Sequence, residues 1–280
     1  MLQLGQSSNL GEFRVGIETD LVYDVGMHKA EDTDYYLAKG YRVVAVDASP
    51  GLCQAQTERL IEPIADGRLT IVNAAISAQP GPVTFYASPE TIWGTIDREF
   101  AERNERSGVG RNTEVTVEGV DFGSLLDKYG TPYFVKIDIE GADVACLEGL
   151  RGRPEAPRYL SMESEKRTWE GLLREFDLFT ELGYDRFKVV SQRKAHLQQP
   201  ADFTFREGTS GMFGEDAPGE WMTRDDALRA YRRIFFKYRV AGDFSALRRN
   251  RATKPLARAL SMLMGGPWWY DTHARHRSVG

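Results

Sequence analysis

The segment Leu21–Ala30, Leu-Val-Tyr-Asp-Val-Gly-Met-His-Lys-Ala, decides the fold of this chain. Its first half, Leu21 to Val25, is a short β-rich run that ends in a turn centred on Gly26. A helical pattern begins near Asp32 and Thr33. A strand, a glycine turn and a helix in this order form the entrance to a nucleotide-type site at the carboxyl end of a parallel strand. Glycine lets a ligand approach the backbone, and the helix N-terminus supplies free N–H donors.

The rest of the chain alternates apolar strand patterns with helical patterns. Strands are predicted at Arg42–Asp47, Leu69–Asn73, Val83–Tyr86, Thr113–Val120, Tyr133–Asp138, Arg158–Glu163, Arg186–Ser191 and Asp202–Phe205. Helices are predicted at Gly51–Glu62, Asp97–Arg106, Asp121–Lys128, Ala142–Leu150 and Thr168–Leu182. Apolar strands of this kind are buried on both faces, as in parallel sheets. The order therefore predicts an α/β fold with a doubly wound, mostly parallel sheet.

Beyond residue 207 the alternation stops, and we expect a domain boundary there. Residues 1–207 would form the nucleotide-type domain, and residues 208–280 a C-terminal extension. That extension begins with a glycine-rich loop, Gly208–Gly214, and continues with a helix from Thr223 to about Arg239. It ends in the aromatic segment Pro267–His273, which we expect to pack back on the domain as a lid or dimer contact.

Composition narrows the classes of protein to consider. The chain has 280 residues, 41% of them hydrophobic, which is enough for one substantial core. No apolar run is long enough to span a membrane, and Met1–Phe13 lacks the pattern of a secretory signal. Cys53 and Cys146 are the only cysteines, too few for a structural zinc site. These features predict a cytoplasmic protein with reduced thiols.

The net charge of −5 is unevenly distributed along the chain. Residues 224–258 contain eleven Lys or Arg and three Asp, which makes this segment +8, so residues 1–223 carry about −14. The acidic part would repel a phosphate backbone, and we expect no nucleic-acid partner. The basic segment fits a helical tail lying on the acidic body, a dock for an acidic partner, or a homodimer contact.

The residues of the first turn discriminate between nucleotide-type ligands. A phosphate-binding loop needs Gly-Lys-Ser/Thr, which is missing here. A dinucleotide turn needs two further glycines, but this chain has His28 and Glu31 at those positions, which would obstruct and repel a pyrophosphate. S-adenosylmethionine carries a positive sulfonium and no phosphate, so the carboxylate of Asp24 suits it. Asp47 follows Gly26 by twenty-one positions and is placed to bind ribose hydroxyls in either cofactor.

Four segments resemble the FkbM family of S-adenosylmethionine-dependent methyltransferases. They are Asp24–Lys29, Asp47, Asn73–Ala75 and, most specific, Val135–Gly141 with its Lys-Ile-Asp-Ile-Glu-Gly run. The resemblance covers about Val15 to Val190. It implies a class I, Rossmann-like methyltransferase fold and, most often, O-methylation of sugars or polyketide-type natural products. The chain departs from the family at Met27–Ala30, where family members usually carry Ala-Asn-x-Gly.

The same resemblance assigns roles to particular residues. Asp24, Gly26 and Thr33 would face the methionyl part of the cofactor, and Asp47 would bind the ribose. The adenine would be bordered by Asn73 and Ala74. The residues beside the reactive methyl group would be Lys136, Asp138 and Glu140.

Methyl transfer to an alcohol requires alignment and a group that accepts the hydroxyl proton. In an extended strand Lys136, Asp138 and Glu140 point to one side. We expect Asp138 or Glu140 to accept the proton while Lys136 orients the acceptor, although the three charges could equally form a structural bridge. His28 is a second candidate base because histidine titrates near neutrality.

Other residues are weaker candidates for the active site. His273 is a further candidate base, and Glu163 could hydrogen-bond the acceptor hydroxyl. The segment Trp93–Thr95 could line the pocket. No metal site is assigned, although Asp138 and Glu140 could ligate magnesium.

The sequence thus predicts an O-methyltransferase that uses S-adenosylmethionine and acts on a hydroxyl of a small molecule or glycan. Two alternatives remain at this point. One is an NAD-type oxidoreductase on the same fold, and the other is a binding protein that has lost transfer activity.

Overall fold

A computed structural model describes residues 16–106, 110–139, 141–242, 245, 247, 253–264, 266 and 269–279. The strands are β1 Ile17–Val25, β2 Arg42–Asp47, β3 Leu69–Asn73, β4 Ala75–Ile76, β5 Gly81–Ala87, β6 Thr113–Val120, β7 Thr131–Ile137, β8 Tyr159–Glu163, β9 Tyr184–Ser191 and β10 Tyr270–His276. The helices are α1 Glu31–Ala38, α2 Pro50–Arg59, α3 Ile61–Ala65, α4 Arg98–Arg106, α5 Phe122–Tyr129, α6 Asp143–Glu148, α7 Trp169–Glu181, α8 Arg224–Ala241 and α9 Lys254–Leu263.

Within the described residues, seven strands form the central sheet in the order β3-β2-β1-β7-β8-β10-β9. Neighbours from β3 to β8 run parallel, and β10 runs antiparallel to both β8 and β9. The predicted mostly parallel α/β sheet is therefore confirmed. Strands β4, β6 and β5 form a separate small sheet.

Helices cover both faces of the central sheet. Because successive strand residues point to opposite faces, each strand can pack against helices on both sides. On one face Tyr23 and Val25 belong to a core that includes Leu147 of α6 and Phe176 of α7. On the other face Val22 belongs to a core with α1 and α2. Each buried strand thus contributes to two cores, which explains its nearly continuous apolar sequence.

Side-chain caps fix several helix starts that the sequence pattern indicated. Asp121 accepts a hydrogen bond from the Ser124 amide at 2.9 Å and begins α5. Thr223 accepts one from the Asp226 amide at 3.3 Å and begins α8. Such caps satisfy amides that have no partner in the first helical turn.

Strand β10 comes from the segment that the sequence analysis assigned to a C-terminal extension. It lies between β8 and β9, so residues 270–276 are part of the central sheet. The proposed division after residue 207 stays a prediction, but at least this part of residues 208–280 is not peripheral. Residues 267 and 268 of the aromatic segment lie outside the described residues, whereas Tyr270 to His273 belong to β10.

The predicted strand at Asp202–Phe205 is wrong, since these residues lie outside any strand. Their aromatic side chains pack on helix α1 instead: the Tyr35 ring centroid is 5.4 Å from that of Phe203 and 4.7 Å from that of Phe205. Phe213 continues this aromatic cluster and stacks on Phe134 of β7 at 4.2 Å. The alternation of apolar residues here reflects aromatic packing of a loop.

Two further observations concern composition. Cys53 and Cys146 are both free and buried. None of the described helices is long and apolar enough to cross a membrane.

Candidate active site

The turn after β1 lies against the turn after β7. Gly26 has a φ of +88°, and a Cβ built on it would lie 1.9 Å from the carbonyl oxygen of Asp138. Its amide donates to the carbonyl of Val46 at 2.8 Å. Glycine is therefore required for the close approach of two backbone segments, in addition to the approach of a ligand that the sequence suggested.

Lys136 of β7 is the centre of a buried charge cluster. Its Nζ donates to the carbonyl oxygen of Gly26 at 2.7 Å. The same Nζ is 3.3 Å from Oδ1 of Asp24, 3.7 Å from Oδ2 of Asp32 and 3.7 Å from Oδ2 of Asp138. One ammonium group thus faces three carboxyl groups at the carboxyl end of the strands. Lys136 and Asp138 lie on one side of the strand end, as predicted.

Burial and charge together change the proton affinities of this cluster. Burial raises the pKa of Asp24 to about 6, against the opposing effect of Lys136 and with added repulsion from Asp32. Burial also raises the pKa of Asp32. For Lys136, burial alone would lower the pKa, but the carboxylates of Asp24, Asp138 and Asp32 raise it above its ordinary value. Lys136 is therefore a permanent cation in the folded protein.

Asp24 and Thr33 lie beneath the turn, and neither has exposed surface. The hydroxyl of Thr33 donates to Oδ2 of Asp24 at 2.6 Å. Together with the ion pair to Lys136, this bond fixes the Asp24 carboxylate. Direct contact of Asp24 and Thr33 with a cofactor stays a prediction. In this structure the two side chains bond to each other, and Asp24 also pairs with Lys136.

The predicted ribose and adenine residues lie together at the ends of β2 and β3. The carboxylate of Asp47 accepts the amides of His28 and Ser49, both at 2.8 Å. Its backbone carbonyl accepts the side-chain amide of Asn73 at 3.0 Å and the backbone amide of Ala74 at 3.1 Å. A carboxylate has about four acceptor positions, so Asp47 retains acceptors for two ribose hydroxyls.

His28 links the first turn to the short helical turn Thr91–Trp93. It adopts a left-handed φ of +52°. Its Nε2 is 2.7 Å from the Thr91 hydroxyl, and its Nδ1 is 3.4 Å from Oε2 of Glu31. Both ring nitrogens thus have neighbours. The predicted role of His28 as a base stays a prediction that requires one of these contacts to open.

The turn after β7 presents Asp138, whose side chain is 30% exposed. Asp143 at the start of α6 stabilises this turn by accepting the amides of Ile139 and Gly141, both at 3.1 Å. The third predicted charge of this segment, Glu140, lies outside the described residues. Among the described residues of this turn, Asp138 is therefore a carboxylate that solvent or an acceptor can reach.

Sequence reasoning missed the role of Asp32, which anchors the glycine-rich loop. Its Oδ1 accepts the Thr209 hydroxyl at 2.6 Å and the Ser210 amide at 2.8 Å. The loop is thereby attached to the same carboxylate that contacts Lys136. The available signal was the first-turn position of Asp32 in α1, where a carboxylate is also stabilised by the helix dipole.

Strands β8 and β10 add three polar residues beside this cluster. Glu163 at the end of β8 pairs with Lys166, and burial raises its pKa. Asp271 of β10 lies opposite Glu163 in the sheet register, and sequence reasoning did not select it. His273 is 2% exposed, neither of its ring nitrogens has a hydrogen-bond partner among the described residues, and burial, with a contribution from Lys188, lowers its pKa to about 3.

The donor set suits a cationic cofactor. Asp24, Asp32 and Asp138 gather around a single ammonium group, and Asp47 adds a carboxylate for hydroxyl groups. A pyrophosphate would meet net negative charge there, whereas a sulfonium would be attracted. The side chains therefore fit S-adenosylmethionine, while the assignment of Asp47, Asn73 and Ala74 to its nucleoside end and of the Gly26 turn and Asp138 to its sulfonium end stays a prediction.

A family model for the FkbM methyltransferase domain matches residues 24–186, more than half of the chain. The chain belongs to the FkbM methyltransferase family. It is an S-adenosylmethionine-dependent methyltransferase, and this decides against the NAD-type alternative. The match begins at Asp24 and includes every residue predicted to bind the cofactor, whereas β10 of this FkbM methyltransferase follows the matched segment.

Several solved structures resemble this chain with low sequence identity and low TM-scores. Precorrin-6y C5,15-methyltransferase from Geobacter metallireducens GS-15 is 14% identical, with 64% of this chain and 70% of that chain covered and a TM-score of 0.35. The StiE O-MT, residues 961–1257, is 12% identical, with 92% of this chain and 68% of that chain covered and a TM-score of 0.41.

A third solved structure is the Burkholderia thailandensis 1,6-didemethyltoxoflavin-N1-methyltransferase, described with bound S-adenosylhomocysteine. It is 13% identical, with 62% of this chain and 64% of that chain covered and a TM-score of 0.32. No relative was found among curated proteins.

Proposed function

We propose that this FkbM methyltransferase transfers the methyl group of S-adenosylmethionine to a hydroxyl of a small molecule or glycan. S-adenosylmethionine supplies the electrophilic methyl group, so the protein must orient the acceptor and accept its proton. A single observation carries this proposal: the partly exposed carboxylate of Asp138 is held 3.7 Å from Nζ of Lys136 at the carboxyl end of the central strands.

Asp138 is the best candidate for the base. The neighbouring ammonium group of Lys136, 3.7 Å away, fixes the direction of this carboxylate. Lys136 itself is 5% exposed and donates to the Gly26 carbonyl, so it acts as a positioning residue rather than as a contact for the acceptor. A hydroxyl placed at the exposed edge of Asp138 would find a proton acceptor within hydrogen-bond reach.

The test is Asp138→Asn, which keeps the shape of the side chain and removes its proton affinity. We expect S-adenosylmethionine binding in equilibrium dialysis to be retained. Formation of S-adenosylhomocysteine with a panel of hydroxylated acceptors should fall by about 100-fold or more, the usual contribution of a positioned base. Asp202→Asn, at an exposed position in the loop before the glycine-rich segment, is the matched control. Full turnover by Asp138→Asn would exclude Asp138 as the base.

Matched acceptors distinguish transfer to oxygen from other outcomes. Each active hydroxyl compound is compared with its O-methylated form and with the corresponding amine. Reaction of the amine alone would contradict O-methylation. Tight binding of S-adenosylmethionine with no turnover of any acceptor class would favour the non-catalytic binding protein.

A further inference from the structure

Three carboxyl groups lie side by side at the carboxyl edge of strands β7, β8 and β10. Ile137 pairs with Met162 across β7 and β8, so the residues that follow them, Asp138 and Glu163, are neighbours. Asp271 pairs with Glu163 across β8 and β10. Since registered neighbours point to the same face of a sheet, the three side chains form one row, here called the carboxyl row.

Asp271 differs from the other two members of the carboxyl row. Asp138 pairs with Lys136, and Glu163 pairs with Lys166. Asp271 is 6% exposed, and among the described residues its carboxyl group has no side-chain hydrogen bond or ion pair, whereas its backbone belongs to the β8 and β9 ladders. Burial and the lack of a donor from another side chain both disfavour the ionised form of this carboxyl group, and a nearby positive charge would favour that form.

The electrostatic surroundings of Asp271 agree with this geometry. Burial raises the pKa of Asp271 well above its ordinary value, and repulsion from Asp138 and then Glu163 raises it further, against an opposing effect of Lys136. The titratable groups that face Asp271 are Asp138, Glu163, Lys136, Asp32, Tyr36 and Tyr231. Lys136, the cation of this set, is already shared among three other carboxyl groups.

The charge of the cofactor changes during the reaction. S-adenosylmethionine has a sulfonium, whereas S-adenosylhomocysteine has a neutral thioether. Asp138 adjoins the Gly26 turn, and the proposed function puts the reacting methyl group beside Asp138. A cation bound there stabilises ionised carboxyl groups along the row, because interacting acids titrate as a set.

We propose that the carboxyl row senses the charge of the cofactor through Asp271. Asp271 releases its proton when S-adenosylmethionine binds and keeps it when S-adenosylhomocysteine binds. This inference deepens the proposed function and depends on it for the origin of the returning proton.

The step balances in charge and atoms. The acceptor oxygen forms a bond to the methyl carbon while the sulfur–methyl bond breaks, and the sulfur keeps the electron pair. The hydroxyl proton passes to Asp138 and comes to rest on Asp271. One positive charge thus leaves the sulfur and one proton enters the carboxyl row, so the net charge of the site stays constant.

Calorimetry measures this exchange without any acceptor. S-adenosylmethionine and S-adenosylhomocysteine are titrated separately near neutral pH in phosphate and in Tris, whose ionisation heats differ. We expect S-adenosylmethionine binding to release on the order of one proton more per site than S-adenosylhomocysteine binding. Asp271→Asn should remove most of that difference, while Asp202→Asn should leave it at the wild-type value.

Two results would overturn the proposal. One is wild-type binding of both cofactors with equal proton exchange, which requires no variant to be folded. The other is an undiminished difference in Asp271→Asn. A different result would refute the proposed function alone. If the two cofactors differ in proton release as expected but no hydroxyl compound is methylated, O-methylation is refuted and the charge-sensing role stays intact.

Discussion

At the scale of single residues, Lys136 stabilises the site through charge. It compensates Asp24 and Asp32, which are both buried. Lys136→Met should lower the free energy of unfolding by about 3–5 kcal/mol, because it leaves two buried carboxylates without a compensating positive charge. Urea unfolding measures this loss.

Two variants serve as controls for Lys136→Met. Lys128→Met, at an exposed position of α5, should change stability little. The double variant Lys136→Met/Asp24→Asn should recover part of the loss, since it removes one of the uncompensated charges. If the double variant is as unstable as Lys136→Met, the loss comes from packing rather than from charge.

His273 gives the molecule an acid-sensitive element. Its folded pKa of about 3 lies below the ordinary value of 6.5 because of burial and Lys188. The neutral form is therefore favoured in the fold, and the stability it contributes is present above pH 6.5 and lost as the pH falls from there towards 3.

His273→Leu should therefore flatten the dependence of stability on pH in this window, by up to about 1.4 kcal/mol per pH unit. Stability near pH 7.5 should change little, since neither ring nitrogen makes a hydrogen bond that would be lost. Denaturation midpoints of both proteins across the acid range provide the measurement. Parallel curves for wild type and variant would contradict this prediction, because they would mean that the pKa of His273 is the same in the folded and unfolded states.

At the scale of elements, the glycine-rich loop and helix α1 act together through Asp32. The Thr209 hydroxyl donates to this carboxylate at 2.6 Å. Thr209→Val should lower stability by about 1.5–3 kcal/mol, the usual range for a hydrogen bond to a charged group. It should also raise amide exchange in residues 208–214, whereas Thr84→Val, at an exposed position of β5, should do neither. Unchanged exchange would mean that the aromatic contacts alone hold the loop.

The elements that the sequence predicted well are those whose pattern depends on local physics. The parallel strands Arg42–Asp47 and Leu69–Asn73 have the predicted bounds. Asp202–Phe205 has a similar apolar alternation, but its aromatic residues pack on Tyr35 rather than pair in a sheet. Strand β10 was not recognised because its residues, including Asp271 and His273, are polar and buried, a combination that only tertiary neighbours make possible.

The candidate site was predictable in part for the same reason. Lys136 and Asp138 share one side of a strand end by simple periodicity, and Asp47 follows from its distance to Gly26. The contacts of Asp32 with Thr209 and of Asp271 with the carboxyl row join residues more than 100 positions apart. No spacing rule within one element reports such contacts.

At the scale of the whole molecule, the sheet depends on β10. This strand pairs with β8 through five residues, Asp271–Arg275, and with β9 on its other side. A chain ending at residue 207 should therefore fail to give a cooperative unfolding transition, since β9 would have no partner strand in the sheet. Adding a synthetic peptide of residues 266–280 should restore part of the structure. Calorimetry and near-ultraviolet circular dichroism follow both, and a sharp transition in the shortened chain would show that residues 1–207 are an independent unit.

The placement of β10 also bears on how the protein is made. During translation all the other described strands are synthesised before Tyr270–His276. This late segment nevertheless has an interior place in the sheet. Until it arrives, β8 and β9 present open edges that can pair with other nascent chains. The sheet is therefore incomplete until β10 has been synthesised, and aggregation of the nascent chain should be greatest just before β10 becomes available.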